Sequence, residues 1–71
     1  MALSNQIRIL LIKRGNIPES ELARRLHTSP QNFHNKMKRD NFRDDELQAI
    51  ADALDCDYTV SFRLRDTGEV I

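Results

Sequence analysis

Residues 21–39 read ELARRLHTSPQNFHNKMKR, and this stretch decides the fold. Leu22, Ala23 and Leu26 recur at helical spacing and form one apolar face. Pro18 opens their helix, because proline is tolerated in a first turn, and Glu19 and Glu21 suit its positive end. The helix is expected to end near His27, and His27-Thr28-Ser29-Pro30 reads as a short turn. A second helix then spans about 30–38, with Ser29 as N-cap and Pro30 preorganised for the first helical position. Its inward side is thin, just Phe33 and Met37 at i and i+4, while Gln31, Asn32, His34, Asn35, Lys36 and Lys38 stay polar. So polar a helix must contact something wet.

Upstream, Ser4 can cap a first helix over about 4–14, whose stripe is Leu3, Ile7, Leu10 and Leu11, and Gly15 supplies a left-handed stop. Ile9 and Ile12 point the other way, about 200° and 140° from Ile7 at roughly 100° per residue, and need a cover. Downstream, Asp44, Asp45 and Glu46 favour a fourth helix over about 44–55, with Leu47, Ile50, Ala51 and Leu54 as its stripe. From Tyr58 the period changes to two: Tyr58, Val60, Phe62 and Leu64 alternate with Thr59, Ser61, Arg63 and Arg65, which reads as a half-buried strand before an Asp66-Thr67-Gly68 turn. The expected fold class is mainly α. It is a compact bundle of about four helices with a helix-turn-helix, residues 1–57, followed within the same domain by a C-terminal β-strand, residues 58–71.

Seventy-one residues support one small core and leave little room to enclose a substrate pocket, so a binding module is expected rather than an enzyme. The longest apolar run, Ile9 to Ile12, falls far short of the roughly 20 residues a membrane span needs, and a cytoplasmic protein is expected. Cys56 is the single cysteine, read as a small buried hydrophobe near a helix end. His27 and His34 show no metal-ligand spacing, and no nucleophile–base pair or Gly-rich phosphate loop is found; no catalytic residue, metal or cofactor is expected. Net charge is zero, yet residues 1–39 carry +6 and residues 40–71 carry −6. If the fold preserves that segregation, the basic half attracts a polyanion and the acidic half is held away from it.

Two short helices joined by about three residues, the second bearing small polar and basic side chains, suit insertion into the major groove of DNA. Leu22-Ala23, Leu26, the turn, Phe33 and the later Ile50-Ala51-Asp52-Ala53-Leu54 resemble the Xre/Cro repressors, lambda-repressor-like helix-turn-helix regulators, over roughly residues 4–57. The resemblance implies a small sequence-specific transcriptional regulator, a repressor, acting on double-stranded DNA. It also implies that Pro30, Gln31, His34, Asn35 and Lys38 read bases, while Ser20, Ser29, Lys36, Arg39 and Asn41 hold phosphates. Gln31 is the leading base reader, because its amide donates and accepts at once, as adenine N7 and N6 require. Three positions depart from the family pattern. His27 stands where a left-handed glycine is usual; Lys36 stands where an apolar residue is usual, so that the recognition helix is expected either to rotate slightly or to rely on Phe42 for packing; and Glu19 lies near where a phosphate contact is expected, so that it either lowers affinity or shifts the contact to Ser20.

The terminal strand has no evident partner in its own chain, since Val70 and Ile71 are too few for a solid hairpin return. An antiparallel homodimer is therefore expected, with Tyr58, Val60, Phe62 and Leu64 covering Ile9 and Ile12; a weak internal hairpin is the alternative. Such a dimer would set two recognition helices about 34 Å apart on a pseudo-palindromic operator. The rival function is a protein-interaction module of antitoxin or antirepressor type, whose strand adds to a protein partner's sheet.

Overall fold

The computed structural model describes residues 3–71. Four helices follow in order: α1 (Leu3–Lys13), α2 (Glu19–Arg25), α3 (Pro30–Arg39) and α4 (Asp44–Ala53). Each ends on a left-handed residue, and only the first of these ends uses glycine: Gly15 and Asn16 after α1, His27 after α2, Asp40 after α3 and Asp55 after α4. At the ends of α2 and α4 the backbone closes in a Schellman pattern. Thr28 N–H reaches Ala23 O at 3.0 Å and His27 N–H reaches Arg24 O at 3.1 Å, while Cys56 N–H reaches Ala51 O at 2.8 Å.

Ile7, Leu11, Leu22, Ala23, Phe33, Met37, Ile50 and Leu54 make one buried cluster drawn from all four helices. Phe42 packs its ring against Phe33 with centroids 6.0 Å apart at 53°, supplying the apolar cover that Lys36 cannot. The cationic side chains of Arg14 and Arg25 reach the carbonyls of Asp55 (2.8 Å) and Ala53 (3.3 Å) at the C-terminal end of α4, which has no basic residue in its own last turn.

Ser4 is not a cap. Helix α1 begins at Leu3, and Ser4 lies within it, buried, with its hydroxyl 2.7 Å from Met37 O and 2.8 Å from Asp40 Oδ1. Its N–H donates to the same Asp40 oxygen at 2.8 Å, so a carboxylate from the end of α3 satisfies the start of α1.

The C-terminal strand is also corrected. Among the described residues no regular strand forms over 58–65. The chain instead folds back in a short hairpin with a single antiparallel bridge, Arg63 to Val70. Ile71 N–H donates to Phe62 O, Leu64 N–H to Glu69 O and Gly68 N–H to Leu64 O, each at 2.8 Å. Gly68, at φ 76°, makes the reversal. Tyr58, expected on the strand, is used at the root of this arm, where its hydroxyl donates to Asp44 Oδ1 at 2.8 Å. The arm gives the molecule extents of 44 × 24 × 18 Å and a radius of gyration of 13.9 Å. A compact chain of this length has about 11 Å. No helix among the described residues is long and apolar enough to cross a membrane.

Candidate nucleic-acid interface

Helix α2, the turn 26–29 and α3 form a unit held from both ends. Ala23 is fully buried beneath the turn, and its small side chain lets α2 and α3 approach closely. Ser29 caps α3 by accepting the Asn32 N–H at 3.1 Å, which leaves its own hydroxyl proton available to an external acceptor. The C-terminal end of α3 is anchored by the tie from Met37 and Asp40 to Ser4.

With Phe33 and Met37 buried, a rotation of about 100° per residue sets Gln31, Asn35, Lys38 and Arg39 on the opposite, outward side of α3. Pro30 and His34, both exposed, lie along one flank, and Asn32 and Lys36 along the other. Gln31 Nε2 donates to Asn35 Oδ1 at 3.3 Å, so the two amides face outward as a linked pair one turn apart. The link leaves the Gln31 carbonyl oxygen free to accept and the Asn35 amide nitrogen free to donate, the complement of a base edge that offers both.

The fold does not keep all the basic residues free. Glu21 binds Arg24 and Arg25, and hydrogen bonds from these two guanidinium groups lower its carboxyl to about 2. Glu46 accepts Lys36 Nζ at 2.8 Å and the Arg43 N–H at 2.9 Å, and these bonds, the lysine first, hold its carboxyl below the usual range. Lys36 therefore faces α4 as half of an ion pair. Lys38 and Arg39 are exposed and unpaired among the described residues, which concentrates free positive charge on the outer face of α3.

Ser20 is exposed in the first turn of α2, near Glu19 at its start, and Asn41 is exposed just past α3. A polar cleft on the Lys36 flank brings Asn35, Lys36, Arg39 and Asn41 together with Thr28 and Asn32. Thr28 and Asn32 were not singled out in the sequence reading. Asn32 was legible as a polar residue of α3, but its place beside Asn41 depends on how the chain leaves the helix. Ile9, Ile12, Val60, Phe62 and Leu64 are all exposed, while Tyr58 is half-buried and lies with Val60 along a groove between α1 and α4 lined by Leu3, Ile7, Leu10 and Leu47.

Residues 6–59 match the family described as the Cro/C1-type HTH DNA-binding domain, and the chain belongs to that family. No curated protein and no solved structure gives a significant match.

Proposed function

We propose that this member of the Cro/C1-type helix-turn-helix family is a sequence-specific regulator of transcription, a repressor that reads double-stranded DNA with α3 in the major groove. The observation that carries the reading is the outward amide pair, Gln31 bonded to Asn35, beside the unpaired cations Lys38 and Arg39. Gln31 and Asn35 are the base readers, with Pro30, His34 and Lys38 around them, and adenine is the expected partner of Gln31. Ser20, Ser29, Arg39 and Asn41 hold phosphates, and Lys36 joins them when Glu46 yields it. The protein acts in the cytoplasm as a binder, without metal, cofactor or catalytic step.

The chain functions as a homodimer on a pseudo-palindromic operator. Support for this comes from seven large apolar side chains left exposed among the described residues, on α1 and on the terminal arm. A protein partner at the arm is the second reading, favoured by the same exposure.

Affinity selection from random duplex DNA at about physiological salt tests the proposal. The expected winner is two-fold symmetric and bound roughly a thousandfold tighter than scrambled duplex. Gln31→Ala and Asn35→Ala should each cost about 1–3 kcal/mol on that sequence and much less on scrambled DNA. Equal binding to every duplex would overturn the specific-regulator reading in favour of the arm's protein partner.

A further inference from the structure

Lys36 lines two recesses of the surface. One is a cavity of about 130 Å³ where α2, α3 and α4 meet, walled by Leu26, Phe33, Phe42 and Ile50, with Glu46 also in its lining. The other is the polar cleft that Lys36 shares with Asn35, Arg39 and Asn41. The apolar wall of the first suits the methylene stem of the lysine. The second adjoins Asn35 of the outward amide pair and the unpaired Arg39, so the ammonium at the end of that stem has an internal anion within reach and a route to an external one.

The carboxylate that holds Lys36 is fixed by its own helix. Glu46 Oε1 accepts the Arg43 N–H at 2.9 Å, closing the first turn of α4, and Arg43 Nε stands 3.5 Å from the same oxygen. The other oxygen, Oε2, takes Lys36 Nζ at 2.8 Å. Both side chains are half-buried, and the bonds from Lys36 and Arg43 favour the charged form of Glu46. With the anion fixed and the cation on a flexible four-carbon stem, the lysine is the partner that can move.

We propose that Glu46 is a positioning residue for DNA binding: it competes with a backbone phosphate for Lys36 Nζ and so withholds one cation from the DNA face. This role rests on the DNA reading above and sets how strongly that site holds its target. A lysine that comes to a phosphate from solvent releases a condensed counterion at little cost. A lysine drawn from Glu46 leaves a half-buried carboxylate without its partner, close to a polyanion. The intact pair is neutral, so it adds little to affinity or to its salt dependence. A phosphate contact carries no sequence information, so the restraint bears on every duplex alike and leaves discrimination to Gln31 and Asn35.

Glu46→Gln tests this, because glutamine also serves at this capping position and can still accept the Arg43 N–H, while the charge that holds Lys36 is gone. Binding is titrated between about 50 and 200 mM salt on the selected operator and on scrambled duplex. The slope of log K against log salt should steepen by about 0.9, and binding at about 0.15 M salt should tighten roughly fivefold, equally on both duplexes. In a Lys36→Met background, where an apolar side chain replaces the lysine stem, the same Glu46→Gln change should move the slope much less. An unchanged slope in the single variant overturns the role of Glu46 and leaves the DNA reading standing. An equal gain in the Lys36→Met background means that Glu46 repels DNA directly, and it overturns the competition for Lys36. A gain confined to the operator makes Lys36 a base contact and overturns the phosphate assignment. Failure of the wild type to bind any duplex overturns the DNA reading and this role with it.

Discussion

His27 carries a cost that its neighbours impose. The Schellman closure of α2 requires a left-handed residue there, and His27 adopts φ 57° with its side chain exposed. An L residue in that region gives up about 1–2 kcal/mol, which glycine recovers in large part. His27→Gly should therefore raise Tm by roughly 5 °C in a thermal melt, and His27→Val, β-branched at the same φ, should lower it. This strain was legible, because the resemblance placed a left-handed residue at position 27. Asp40 was not legible. Its partner Ser4 is 36 positions away, and a serine ahead of an apolar stripe reads equally well as a local cap. The Ser4 hydroxyl and then its N–H hold the Asp40 carboxyl below the usual range. A depressed folded pKa gives stability that is complete above the unfolded value, about 3.9, and lost as pH falls through the folded value. Melts taken downward from pH 5 should show a steeper loss for the wild type than for Asp40→Asn, and identical slopes would remove this carboxylate from the acid response.

At the scale of elements, α3 joins stability to recognition. Ser29→Ala removes the bond that closes its first turn and should cost about 1 kcal/mol by denaturant unfolding. Arg39→Ala should leave stability nearly unchanged and reduce the slope of log K against log salt by about 0.9, the signature of one phosphate contact. Lys36→Ala should change that slope less, since Glu46 already neutralises Lys36. The limits of α2 and α3 were readable from Ser29, Pro30 and the apolar spacing, because caps and periodicity act within a turn or two. The arm was misread for the opposite reason. Alternation from Tyr58 to Leu64 fixes which side chains share a face, but whether a ladder forms depends on a partner strand that the alternation does not encode.

For the whole molecule, the segregation of charge along the sequence survives in part. Arg14 and Arg25 cross to the carbonyls of α4, and Lys36 pairs with Glu46, so the free cations that remain on α3 are Lys38 and Arg39. The arm adds an exposed apolar surface. Val60→Asp with Phe62→Asp should give chain-mass particles by light scattering and abolish cooperative binding to a two-fold operator, while the melting of the helical body changes little. The tie between Ser4 and Asp40 also bears on the rate at which the molecule forms and comes apart. Helices α2 and α3 meet through a turn of a few residues, the kind of local pairing that lets a small helical chain fold in microseconds to milliseconds. The Ser4 bonds to Met37 and Asp40 close loops of 33 and 36 residues, and the entropy of closing them is expected to defer these bonds until after the barrier. In stopped-flow experiments Ser4→Ala should accelerate unfolding while refolding keeps nearly its wild-type rate, the outcome expected of a serine that sets how long a folded molecule lasts rather than how quickly it is made.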